Sequence, residues 1–236
     1  MLCWLYSMND KNNTPNNIND IRLGDYQKYY SIIKANEDAS DEFLETKLLE
    51  IFCGLNYTQI KELPVDLFQN MTSQIYNIFD VKCPLTRRFS MIGTDNVEVE
   101  FGFIPNLDKI TMGEYIDLNN YFEEMDTLHK AMAVLFRPIH KSYKNREKYK
   151  ISSYEGTEFF SNVMKDMPLG IALGAKVFFY RLGTKLSKAI LNSSRLLMEE
   201  ETLSEEESNL LMRNIDGIKN FTRLQEEMLY GSTKLL

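Results

Sequence analysis

Residues 101–122 read FGFIPNLDKITMGEYIDLNNYF, and the fold class turns on them. The stretch opens as the end of an alternating run. Val97, Val99, Phe101 and Phe103 fall on one face and Glu98 and Glu100 on the other, the period-two pattern of a half-buried strand. Pro105 stops that run. Thr111-Met-Gly-Glu114 then has the form of a capping box, in which the threonine oxygen accepts from a first-turn amide and the glutamate reaches back to the threonine N–H. Tyr115, Ile116, Leu118 and Phe122 supply the apolar side of the helix that follows. One short stretch thus changes from strand period to helix period with a stop and a start between them. The expectation is a mainly α, α+β fold.

Working outward, RRFSMI before the turn-forming GTDN pairs with VEVEFGFI after it, giving a β-hairpin over 86–104. Upstream the pattern is helical. Tyr26, Tyr29, Tyr30 and Ile33 recur at helical spacing. Ser40 caps DEFLETKLLEIFCG, whose face is Phe43, Leu44, Lys47, Leu48, Ile51 and Phe52 and whose stop is Gly54. After the short YTQIKEL, Pro64 opens a helix to about Phe79 with a stripe of Leu67, Phe68, Met71, Ile75, Ile78 and Phe79.

Downstream, Asp126 begins DTLHKAMAVLFR, a helix apolar at Leu128, Met132, Leu135 and Phe136 that Pro138 ends. Arg137 reads as the structural cap of that helix, its charge meeting the last carbonyls. Residues 137–150 read as a basic polar loop, and Ser152 or Ser153 as the start of another helix. Pro168 opens the most apolar helix of the chain, with Gly170 and Gly174 at a spacing that serves close helix packing. Ser204 and Glu207 form a second capping box ahead of a charged helix. The domain reading is an apolar tip and Asn-rich linker over 1–20, a single mainly helical domain over 21–195, and a C-terminal amphipathic helix over 200–236.

The composition, 44% apolar and 26% charged in 236 residues, is that of an ordinary globular chain. A net charge of −7 argues against a general nucleic-acid binder. Cys3, Cys53 and Cys83 have no CxxC pairing, so they read as reduced thiols, with Cys53 buried on a helix. MLCWLYSMND lacks the basic flank of a secretory signal, and MPLGIALGAKVFFYRLG is interrupted by Lys176 and Arg181, so no membrane span is expected. His129 and His140 lack metal-ligand spacing, and neither a phosphate-binding loop nor a nucleophile elbow occurs. The expectation is a protein without enzymatic activity, metal or cofactor.

Two surfaces qualify as binding candidates. The final helix carries Leu211, Ile215, Ile218, Leu224 and Met228 as a stripe on a charged background, suited to docking on a partner. The segment 137–150 offers Lys141, Lys144, Arg146, Lys148 and Lys150 interleaved with Tyr143 and Tyr149, a mixture able to hold a phosphate backbone and stack bases. A solvated loop is the favoured reading of that segment.

Three blocks carry a resemblance: FLETKLLEIFCGLNYTQIKELPVDLF, FIPNLDKITMGEYIDLNNYF with LHKAMAVLFRPI, and MPLGIALGAKVFFYRLGTKL. In this order, over roughly residues 21–190, they resemble a family of small virion-morphogenesis proteins of tailed bacteriophages, including phages of gut Bacteroidales, similar to tail assembly chaperones. The resemblance implies protein–protein binding to phage tail or virion proteins in the host cytoplasm, with a homo-oligomer or a place in the virion itself as further options. A structural subunit of the tail, neck or ring is the alternative it leaves open.

Overall fold

The computed structural model describes residues 14–92, 97–143, 148–199, 213 and 215. The protein is mainly helical with one four-stranded antiparallel sheet. The chain divides into two compact units, Met1–Val81 with Thr86–Ala172, and Lys82–Leu85 with Leu173–Leu236.

In the first unit, α1 (Leu23–Ala35), α2 (Asp41–Phe52), α3 (Tyr57–Lys61) and α4 (Val65–Phe79) form a helical layer. Aromatic rings hold it together. Tyr26 of α1 meets Phe79 of α4 at 5.6 Å, Tyr29 meets Phe52 of α2 at 5.3 Å, and Phe52 meets Phe79 at 5.7 Å. Tilted and edge-on contacts of this kind add to the area that the rings remove from water. Ser40 caps α2 by accepting from the Phe43 amide at 3.3 Å, and Gly54 ends it with φ 67, a left-handed angle that glycine takes without strain. The inward face of α2 differs from the expected one: Phe43 is exposed and Leu49 is buried beside Leu48. Lys47, on the same side, is neutralised by Glu50 at 2.5 Å.

Residues 14–20, expected as part of a linker, are packed on this layer. Asn17 and Asp20 cap a 3-10 turn at Ile18–Asp20 whose Ile18 is buried. Gln74 of α4 donates to the Pro15 carbonyl at 3.0 Å, and the buried Cys53 thiol lies 3.9 Å from the Thr14 hydroxyl.

The sheet runs in the order β1-β2-β3-β4, from β1 (Arg88–Ile92), β2 (Glu98–Phe103), β3 (Phe136–Ser142) and β4 (Tyr149–Ile151). The hairpin β1–β2 is as the alternation predicts, but it is half of the sheet. The stretch 137–150, expected as a loop, supplies the other two strands. The reason lies at Pro138. A residue before proline is driven out of the helical region, so the chain becomes extended after α6 (Leu128–Leu135) and Pro138 pairs with Phe101 of β2. Arg137 is therefore a strand residue and not a helix cap. Ser152 continues the sheet, its amide donating to the Pro138 carbonyl at 2.9 Å. The next helix, α7 (Glu158–Ser161), begins later than Ser152 or Ser153.

Phe89 stacks on Phe101, and Phe136 meets both Phe89 and Phe103 edge-on, with centroid separations between 5.3 and 5.6 Å. Buried α6 contributes Leu128, Met132, Val134 and Leu135 to the same core. Gly102 is required by space: a Cβ there would sit 2.5 Å from the Tyr149 ring. That tyrosine is buried and donates to the Phe103 carbonyl at 2.7 Å.

The second unit is dominated by α8 (Leu169–Glu199), whose first turn falls in the first unit. Gly174 lets the backbone approach closely, since a Cβ at this position would lie 2.3 Å from the Pro84 carbonyl oxygen. Ile215 is helical and buried.

Candidate protein-binding site

The helix that opened the reading is α5 (Met112–Tyr121), and its start forms as the residues dictate. Glu114 N–H donates to Thr111 Oγ1 at 3.3 Å, and Thr111 N–H donates to Glu114 Oε2 at 2.6 Å. The second oxygen of the same carboxylate has another task. Arg137 Nη2, reaching across from β3, donates to Glu114 Oε1 at 2.5 Å, and both side chains are buried.

Around this pair, Tyr154 stacks on the Arg137 guanidinium at 5.7 Å, and its hydroxyl donates to Asp117, one turn further along α5. Burial, followed by the Asp117 carboxylate, pushes the Tyr154 phenol well above its ordinary range, so it stays a donor. Among the described residues, Arg137 Nε has no hydrogen-bond partner. A buried ion pair contributes little net stability, because desolvation offsets most of the attraction. Its effect here is geometric: it fixes which side of α5 faces inward.

That side carries Glu114 and, one turn on, Leu118, the two buried residues of the helix. Glu114 is 4% exposed, whereas Met112, Tyr115 and Ile116 are 72%, 57% and 49% exposed. The expectation that Tyr115 and Ile116 face the core is therefore overturned, and only Leu118 of that set is buried. The three exposed residues sit at i, i+3 and i+4, so they form one outward patch on the helix. Nothing in the sequence pairs Glu114 with Arg137, which lie 23 residues apart. The available clue is a basic residue immediately before a proline, and it has a simpler reading as a cap.

The other candidates fall out as follows. Lys141, Lys148 and Lys150 are exposed on β3 and β4 or beside them, with Lys141 over the Tyr143 ring at 5.3 Å. Tyr149, the second ring of that set, is held inside the sheet and offers no stacking face. Lys144 and Arg146 lie outside the described residues, as do Leu211, Ile218, Leu224, Met228 and Cys3. Ile215 of the final stripe is buried.

His129 is buried, with Nδ1 accepting from Gln27 Nε2 at 3.1 Å while the same amide donates to the Met125 carbonyl at 2.6 Å. Arg88, paired with Glu100 at 2.8 Å, lines an open polar groove of about 580 Å³ with Ser90, Glu98 and Ser142. Among the described residues, no three His, Cys, Asp or Glu side chains converge as a metal site would require, and no helix is long and apolar enough to cross a membrane.

Comparison of the chain with protein-family profiles, with curated proteins and with solved structures finds no match to any of them. The fold and the α5 surface are what define a class here: an α+β protein presenting an apolar helix face.

Proposed function

We infer that this chain is a non-enzymatic bacteriophage assembly protein, a tail assembly chaperone acting by protein–protein binding in the host cytoplasm. The observation that carries the reading is the outward apolar face of α5. Met112, Tyr115 and Ile116 stand in solvent while Glu114 of the same helix is buried against Arg137. Leaving apolar area in water forgoes about 25 cal/mol per Å², and burying a charged pair costs desolvation. Neither favours the isolated chain. A partner that covers the face recovers the first term, and such contiguous apolar surface is the usual mark of a protein-binding site.

The face also lies inside FIPNLDKITMGEYIDLNNYF, one of the blocks that resemble phage tail assembly chaperones. Surface and likeness meet in one stretch. A chaperone holds its client and leaves before the particle is complete. The test is quantitative mass spectrometry of infected-cell complexes and of purified particles. Recovery of the chain bound to a tail component, with none in finished particles, is the expected result. A fixed copy number in the particles would make it a structural subunit instead. Absence from both complexes and particles would overturn the assignment to assembly.

A further inference from the structure

The β3–β4 hairpin arranges its basic residues in a way that their order in the chain does not reveal. The register sets Lys141 directly opposite Lys150 and Ser142 opposite Tyr149. Tyr143 N–H donates to the Lys148 carbonyl at 3.1 Å, which carries the ladder one pair further. Side chains alternate between the two faces of a strand, and directly opposed residues share a face. Lys141, Tyr143, Lys148 and Lys150 therefore stand together on one side of the ribbon, and all four are exposed. The Lys141 ammonium lies over the Tyr143 ring at 5.3 Å, as neighbours on one face do. Tyr149 belongs to the opposite face and is buried.

Nothing within the fold answers the charge of this face. Among the described residues, no carboxylate lies within ion-pair distance of Lys141, Lys148 or Lys150. Like charges directly opposite one another destabilise a ladder, so the Lys141–Lys150 pair works against the hairpin that creates it. Lysine on a short edge strand guards against pairing with another chain, and Lys150 of β4 serves that end. Edge protection does not require a lysine of β3 set against it. The net charge of −7 leaves the patch intact, because at physiological salt charges more than about 8 Å apart are largely screened.

We propose that this face binds single-stranded nucleic acid, with the three ammonium groups on the phosphate backbone and the Tyr143 ring against a base. Two features select the ligand. The described cations of the face are all lysine, which meets phosphate as a point charge, whereas carboxylates are held best by the forked guanidinium of arginine. The aromatic ring among them, Tyr143, is 43% exposed. A ring in a row of cations is a platform on which a base stacks, and it has no use to a carboxylate. Binding of this kind is tolerant of sequence. It does not rest on the assembly reading or on what α5 binds.

The test is fluorescence anisotropy of a labelled oligothymidine titrated with the full chain over a series of salt concentrations. Wild type is compared with the Lys141→Gln, Lys150→Gln double variant, with Lys148→Gln and with Tyr143→Ser. Wild-type affinity should fall linearly with salt on a log–log plot. Each lysine lost should flatten the slope by about 0.7, and the double variant by about 1.4. Tyr143→Ser should weaken binding by about fivefold or more with the slope unchanged. The double variant should melt no lower than the wild type, since it removes a like-charge pair. A wild type that does not bind at low salt overturns the proposal. So does a double variant with wild-type affinity and slope, or a Tyr143→Ser variant with wild-type affinity. Polyglutamate of equal charge serves as competitor. If it displaces the label as well as unlabelled oligothymidine does, the ligand is an acidic protein and the proposal falls. If the double variant melts early, Lys148→Gln decides the charge contribution alone.

Discussion

Glu114 accepts from two directions, from the Thr111 amide at 2.6 Å and from Arg137 at 2.5 Å, so its loss would remove a cap and strand a buried cation. Glu114→Ala should destabilise the protein by about 3–5 kcal/mol, as should Arg137→Ala, because each leaves an uncompensated buried charge. The double variant Glu114→Ala, Arg137→Ala should cost clearly less than the sum, read by urea denaturation as a double-mutant cycle. Additive losses would contradict the coupling.

His129 gives a pH-dependent counterpart. Burial first, then Lys165 and Lys130, hold its imidazole down to about 4 from the ordinary 6.5. Between those values the unfolded chain takes up a proton that the folded chain does not. The stability contributed by neutral His129 is whole above about pH 6.5 and is lost as the pH falls towards about 4, by at most ~3 kcal/mol. His129→Gln should flatten that part of the acid profile. An unchanged slope would show that other groups carry it. At this scale the sequence was readable wherever partners are local. Thr111 and Glu114 sit three apart in a known arrangement, whereas Arg137 and Gln27 find their partners only through the fold.

Elements were legible where period and punctuation agree. Helices α1, α2 and α4, the β1–β2 hairpin and the start of α8 follow from apolar spacing, from Ser40, Pro64 and Pro168, and from Gly54. The β3–β4 hairpin was hidden because its lysines decorate the exposed side and Pro138 imitates a helix stop. The rotation of α5 was hidden for a different reason. Hydrophobic pattern places Tyr115 and Ile116 inward, and a single long-range ion pair reverses the choice. The reversal has a measurable consequence. Ile116→Gln and Tyr115→Ser should change stability by no more than about 0.5 kcal/mol, since exposed substitutions away from buried features rarely do more. A loss of about 2–5 kcal/mol, the range of buried large-to-small changes, would put these side chains in the core.

For the whole molecule, the central claim is that a polar lock on one side of α5 holds an apolar face out for another protein. Stability and binding should therefore separate at this helix. The most direct measurement is co-purification of the full chain with a co-expressed phage tail component, comparing wild type with a Tyr115→Glu, Ile116→Glu double variant. The melting temperature is recorded for both. The account predicts a variant that melts with the wild type but retains less than a tenth of the tail protein and leaves it insoluble. A variant that melts normally and still keeps the tail protein soluble at the wild-type level would contradict it.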